Sequence, residues 1–118
     1  MKDKKKIREF IIKKVNFYKK ILFLETYNIE IKFRETGEAS ATSSNNYPYL
    51  NSTLTFNDKF KHSKDLWEQI VIHELIHIHL HRYKQIALER TSTEREITNV
   101  DENLTEIFTK IVHSLIKK

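Results

Sequence analysis

The segment Ile70-Val71-Ile72-His73-Glu74-Leu75-Ile76-His77-Ile78-His79-Leu80-His81 carries the pattern H-E-x-x-H within a 118-residue chain. Its flanking residues are apolar nearly all round, which is typical of a helix buried at the centre of a domain. Side chains four positions apart lie one above the other on a helix, so His73 and His77 project from the same face. With Ser63 as its cap, this helix is predicted to run from residue 63 to about 83 or beyond.

Two imidazoles one helical turn apart suggest a metal site. Zinc binds neutral imidazole nitrogens and keeps a position for water, which a neighbouring carboxylate can deprotonate. His73 and His77 are therefore predicted metal ligands, and Glu74 is the predicted catalytic base. The alternative is a histidine-rich helix with an exposed polar strip.

Length and composition set the limits of this interpretation. A chain of 118 residues predicts one domain, residues 1–118, with a single core. It has no cysteine, so a zinc site must use histidine, glutamate or aspartate. Its apolar runs are too short to cross a bilayer and it begins without a signal-peptide pattern, so we expect a cytoplasmic protein without membrane contact.

The positive charge of the chain is concentrated at its N-terminus. Residues 1–24 contain nine Lys or Arg against Asp3 and Glu9, a net charge of +7, while the remainder carries −2 and the total is +5. We favour a solvated helix face. The alternative is a weak, salt-dependent contact with anions or nucleic acid through this basic N-terminal helix.

Hydrophobic periodicity predicts the remaining elements. Residues 3–24 have helical spacing, 27–33 and 50–56 alternate as strands do, and the final helix spans about 95–116. Gly37 marks a turn, and the polar segment 39–49, which contains Pro48, is predicted as an edge strand. The predicted fold class is α+β: an N-terminal helix, a small, mainly antiparallel three-stranded sheet, and two helices that sandwich the metal site.

A catalytic zinc needs a third protein ligand. His81 is excluded, since eight residues separate it from His73, about 12 Å of helix rise. The acids of the final helix remain: Asp101, Glu102 and Glu106. A helical projection places Asp101 nearer than Glu102 to the apolar arc, which we expect to face the core. The residues alone leave the third ligand open, and the acids also suit a first helical turn.

The combination of His73-Glu74-x-x-His77 with Glu102-x-x-x-Glu106 resembles the gluzincins, zinc peptidases whose third ligand is a glutamate on a second helix. The small size is similar to that of the minigluzincins and the ImmA/IrrE-type metallopeptidases, many of which are carried by phages. The resemblance implies a zincin-like fold with Glu102 as the third zinc ligand. Glu106 stands where thermolysin-like members have an aspartate that supports a zinc-bound histidine.

The resemblance further implies that the chain hydrolyses peptide bonds in a protein or peptide substrate. Glu74 would take a proton from water activated by Zn²⁺ and pass it to the leaving amine, while residues 39–49 would align the substrate by strand addition. The candidates for stabilising the oxyanion are Tyr47, Tyr49, His79, His81 and Tyr83. The alternative function is a non-catalytic or latent metal-binding regulatory module whose basic helix meets nucleic acid or a protein partner.

Overall fold

The structure is a computed structural model that describes residues 2–34, 39–46, 51–88 and 94–116. In these ranges the chain forms three helices and three strands, an α+β arrangement. Their order is α1 (Lys2–Ile21), β1 (Asn28–Phe33), β2 (Ala41–Asn46), β3 (Asn51–Phe56), α2 (Lys64–Leu88) and α3 (Glu94–Ile116). The predicted turn at Gly37 and the part of the predicted edge strand around Pro48 lie outside the described residues.

Helix α1 buries one face and ends earlier than its periodicity suggests. Ile11, Val15 and Tyr18 are fully buried at the expected helical spacing. After Ile21 the backbone N–H of Leu24 bonds the Lys19 carbonyl at 2.9 Å, with Phe23 in the left-handed region at φ 57°. This is the Schellman arrangement, which closes a helix while a following apolar residue still reaches the core. The predicted helix to residue 24 therefore included its cap.

The sheet is mixed, and the prediction of a mainly antiparallel sheet was wrong. The strand order is β1-β3-β2: β1 runs parallel to β3, with Asn28 opposite Asn51, and β2 runs antiparallel to β3, with Ala41 opposite Phe56. The central position goes to β3, whose residues 52 and 54–56 are buried. A central strand covered on both faces needs such residues, whereas β2, with the sequence ATSSNN, suits the predicted edge position.

Helix α2 covers the sheet and supplies half of the buried core residues in the described part of the chain. Its Trp67, Val71 and Leu75 are buried together with Leu54 and Phe56 of β3, and the Phe56 and Trp67 rings meet edge to face at 6.5 Å. The Ser63 hydroxyl accepts the Leu66 N–H at 3.1 Å, which confirms the predicted cap. α2 is thus fixed at its start and along its apolar length.

Helix α3 packs on α2 with a different face from the one expected. Thr105 and Thr109 are buried there, and their hydroxyls donate to the carbonyls of Asp101 and Thr105, each at 2.6 Å. These internal bonds satisfy the hydroxyls, so threonine can be buried between the helices. The apolar arc is exposed instead: Leu104, Ile107, Phe108, Ile111, Leu115. The expectation that this arc faces the core was wrong.

Across the described ranges, none of the helices combines the length and the apolar character that a membrane span requires. The central helix is apolar, but histidines, Glu74 and Glu68 interrupt it.

A buried carboxylate links α1 to α2. Glu68 is buried in the core and accepts the Tyr18 hydroxyl, while Lys14 Nζ lies 3.4 Å from the same carboxylate oxygen. Burial together with the Glu68 carboxylate raises the pKa of Tyr18, so the phenol stays protonated and can donate. An unpartnered carboxylate here would be costly.

We expect Tyr18→Phe to destabilise the fold by about 1–3 kcal/mol, because it removes a donor from a buried carboxylate. Urea unfolding monitored by circular dichroism measures the change in the free energy of unfolding. Tyr27→Phe, a half-buried tyrosine beside the same core, is the control and should change it by less than about 0.5 kcal/mol. Equal stability of Tyr18→Phe and wild type would contradict a structural role for this bond.

Candidate metal centre

His73 and His77 lie one turn apart on α2, as their spacing predicts. Their Nε2 atoms are 3.2 Å apart and their ring centroids 4.8 Å apart, with the rings nearly perpendicular. Both residues are half-buried, while Ile72, Leu75 and Ile76 around them are buried in the core. The apolar sides of α2 therefore fix the helix so that two imidazole nitrogens point to one place.

Glu102 of α3 reaches the same place. Its two carboxylate oxygens lie 3.2 Å from His77 Nε2 and 3.7 Å from His73 Nε2. Atoms that share one zinc at ~2.0–2.2 Å lie about 3.3 Å from each other when their arrangement is tetrahedral. The nitrogen and oxygen donors of these three residues have the spacing that such an ion requires, so the residues present fit zinc.

The outer nitrogens of both imidazoles face acidic side chains of α3. His73 Nδ1 lies 2.9 Å from a Glu106 carboxylate oxygen, to which its N–H can donate. His77 Nδ1 lies 3.4 Å from both the Asp101 carboxylate and the Thr105 hydroxyl. A proton held on Nδ1 leaves the Nε2 lone pair free to bind a metal. Glu106 is thus placed to orient the His73 ring.

Asp101 and Glu102 differ in how they meet α2. The Asp101 side chain is 10% exposed and the Glu102 side chain 54% exposed, so Asp101 is the more buried of the two, although the apolar arc that was expected to bury it faces solvent. Asp101 nevertheless faces the outer nitrogen of His77, whereas Glu102 faces the inner nitrogens of both histidines. The contribution of Thr105 was missed, although it shares with Asp101 the four-residue spacing of Glu102 and Glu106.

The electrostatics favour neutral groups at this centre. Burial, and next the neighbouring His77, lower the pKa of His73, while Glu106 and Glu102 partly offset the effect. Glu74 is buried, and this burial, together with the nearby Glu102 carboxylate, raises its pKa to about 7. A carboxyl group with a pKa near neutrality can both accept and release a proton at physiological pH.

Two groupings of side chains around His77 have the geometry of a cation site. One atom each from His73, Glu74 and His77 lie within 4.8 Å of one another, and so do one atom each from His77, Asp101 and Glu102. His77 belongs to both groups, which therefore meet at one location between α2 and α3. Glu74 is close enough to act on a molecule bound beside the histidines.

A cleft of about 620 Å³ opens over these residues. One wall consists of residues 41–45 of β2, and the floor and opposite wall contain His73, Glu74, His77, His81, Asp101 and Glu102. Because β2 is an edge strand of the described sheet, the cleft combines acidic and imidazole side chains with a strand edge.

The side chains predicted as candidates for stabilising the oxyanion lie in different places. His81 lines the cleft. His79 is exposed, and its Nε2 contacts the Leu22 carbonyl at the end of α1. Tyr47 and Tyr49 lie outside the described residues, as does the side chain of Tyr83. Among the side chains described, His81 is therefore the candidate placed at the cleft.

A second grouping of metal-binding residue types joins the start of α2 to the end of α3. Asp65, Glu68 and His113 each offer an atom within 4.8 Å of the others, and His113 Nε2 lies 2.8 Å from an Asp65 carboxylate oxygen. Sequence reasoning did not identify this cluster, because its members are far apart in the chain. Glu68 already receives Tyr18 and Lys14, so these contacts explain the cluster as a link between helices.

The basic residues of α1 are partly engaged within the fold. Arg8 pairs with the buried Asp58, and Lys14 pairs with the buried Glu68. Lys5, Lys13 and Lys20 are exposed. The basic residues of α1 therefore include both solvent-exposed lysines and two residues that form ion pairs within the fold.

No protein-family model, curated protein or solved structure matches this chain.

Proposed function

We propose that this chain is a gluzincin-type zinc peptidase in which His73, His77 and Glu102 hold Zn²⁺ and Glu74 is the catalytic base. The observation that carries the proposal is the meeting of two Nε2 atoms and the Glu102 carboxylate, within 3.2–3.7 Å of one another, next to a buried glutamate. Glu106 supports the proposal further, because it contacts the outer nitrogen of His73.

Each residue has a distinct task in peptide hydrolysis. When bound, zinc would lower the pKa of water toward ~7 and polarise the peptide carbonyl. Glu74 would accept the proton of the attacking water and return it to the nitrogen of the leaving amine. Its buried position beside the histidines places it next to such a water. Glu106 would hold the His73 ring in place, so that Nε2 keeps its direction.

The cleft suits an extended peptide. The β2 edge forms one wall, so a substrate strand would bind there through backbone hydrogen bonds, with its scissile bond between β2 and the histidines. Such binding is largely independent of side-chain identity, which is the property that a protease needs for a range of protein substrates. His81 is the described side chain placed to contact the peptide carbonyl from the same cleft.

Wild-type protein should contain about one zinc per chain, because three donors already lie at ligand spacing. Elemental analysis after dialysis against zinc and then buffer measures the ratio. His73→Ala and His77→Ala should lose the metal, while His113→Ala, which alters the second cluster, should retain it. Wild-type protein that takes up no zinc, or loss of the metal only from His113→Ala, would contradict the assignment.

The third ligand can be tested on α3. Glu102→Ala should weaken zinc affinity most, since its carboxylate faces both inner nitrogens. Glu106→Ala should weaken it by about 10–100-fold, as is typical of groups that orient a ligand, and Asp101→Ala should have a smaller effect than Glu102→Ala. Competition with a fluorescent zinc chelator measures these affinities. If Asp101→Ala removes the metal and Glu102→Ala does not, Asp101 is the ligand.

Glu74→Gln should keep its zinc and lose peptidase activity by at least about 100-fold, because the amide cannot accept the proton. Cleavage of fluorescence-quenched peptide libraries by the zinc-loaded protein provides the measurement, and Glu25→Gln, at an exposed position, is the matched control. Full activity in Glu74→Gln would remove Glu74 from the mechanism. A zinc-loaded wild type without any cleavage would favour the non-catalytic metal-binding module.

A further inference from the structure

Helix α3 exposes a continuous apolar surface to solvent. We name it the α3 stripe: Leu104, Ile107, Phe108, Ile111 and Leu115. These side chains are 37%, 53%, 41%, 49% and 61% exposed, respectively. On the face of α3 that packs against α2, Thr105 and Thr109 are 0% and 4% exposed. The helix therefore buries its threonines and leaves its largest apolar residues open.

The size of the α3 stripe argues for a partner. With these exposed fractions, its side chains leave on the order of 500 Å² of apolar surface per chain open to solvent, near the upper range for monomeric proteins. A patch of this size is often functional. Isolated exposed apolar residues need no such explanation.

We propose that the α3 stripe pairs two copies of this chain through an antiparallel α3–α3 interface. Leu104, Phe108, Ile111 and Leu115 follow steps of four, three and four residues, the spacing of a helix-pairing seam. A twofold axis between positions 109 and 110 places Leu104 of one copy against Leu115 of the other. The same axis places Phe108 against Ile111. One surface is thus complementary to itself, as a twofold dimer requires.

Formal charges along the helix favour the antiparallel direction. Residues 94–106 contain five acidic residues and Arg95, a net charge of −4, whereas residues 107–116 contain Lys110 and no acidic residue, a net charge of +1. Antiparallel pairing brings each acidic half next to a basic half, and parallel pairing would bring like charges together. Antiparallel helix dipoles are also favourably arranged.

The area is sufficient for a second copy. Two α3 stripes in contact would bury about 1,000 Å² in total, the lower size limit of a specific interface. We therefore expect a dimer of roughly micromolar affinity and not a permanent one. A larger partner would have to cover more surface than the stripe offers.

The interface leaves the metal centre open. At 100° per residue, the α3 stripe is centred about 100° to one side of Thr105, and Glu102 and Glu106 lie on the other side. The cleft residues on β2 are likewise remote from the α3 stripe, since they face His73 and Glu74. Pairing is therefore independent of zinc binding and of peptidase activity.

Sedimentation velocity of the 118-residue chain in EDTA tests the pairing without contributions from metal. Wild type should change from 14.2 kDa towards twice that mass as its concentration rises from about 1 to 200 µM. Phe108→Glu should raise the dissociation constant at least about 100-fold with an unchanged circular dichroism spectrum. Ile12→Glu alters an apolar residue of α1 that is equally exposed, at 40%, and should leave the dimer intact.

The antiparallel direction of the α3–α3 pairing can be tested by disulfide cross-linking, because the chain has no cysteine of its own. A Leu104→Cys chain mixed with a Leu115→Cys chain should form a disulfide under mild oxidation. Leu104→Cys alone should not, since antiparallel pairing separates the two positions by about 16 Å. A monomer at 200 µM, a larger assembly, a dimer that persists in Phe108→Glu, or efficient Leu104→Cys self-linking would each overturn the proposal.

Discussion

Helix α2 is buried although it carries polar side chains, so its neighbours have to satisfy them. Core residues surround this helix on most sides, yet it carries two histidines and a glutamate among them. Polar groups in such a position have to be satisfied by neighbours. Helix α3 supplies these neighbours, because Glu106, Asp101 and Thr105 face the outer nitrogens while Glu102 faces the inner ones. The contacts that pack α3 against α2 are therefore also the contacts that build the candidate centre.

Much of this arrangement can be predicted from the residues, and the failures have physical reasons. Periodicity locates α1, β1, β3 and α3, the apolar surroundings of the histidines locate α2, and the polar segment 39–49 indicates β2. The four-residue spacing brings His73 and His77 together. Periodicity indicates which face of a strand is buried, but it does not indicate which strand lies beside it. The parallel pairing of β1 with β3 was therefore missed. The rotation of α3 about its own axis was also missed, because its apolar arc was expected to face the core of the same chain. Thr105 and Thr109 can pack there because their hydroxyls bond internally.

Three faces of helix α3 have different surroundings. Its threonines approach α2, its carboxylates face the histidines, and its large apolar residues face solvent. Few large side chains hold it to the rest of the described chain, Val112 being one that packs against the core. Its carboxylates and Thr105 add polar contacts to the histidines of α2. We propose that a second copy stabilises the same helix from its other side.

The strand order also has a consequence for the time course of assembly during synthesis. Asn51 pairs with Asn46, five residues earlier, and with Asn28, 23 residues earlier. The nearer pairing closes the shorter loop, so we expect the β2–β3 hairpin to form first. α1 and β1 leave the ribosome before the other described elements, but β1 has no neighbouring strand of the described sheet until β3 has been made. The apolar face of α1 must wait longer still, because it packs against α2. The apolar face of α1 therefore remains uncovered until α2 has been translated, and in that interval the dense positive charge of residues 1–24 would oppose self-association.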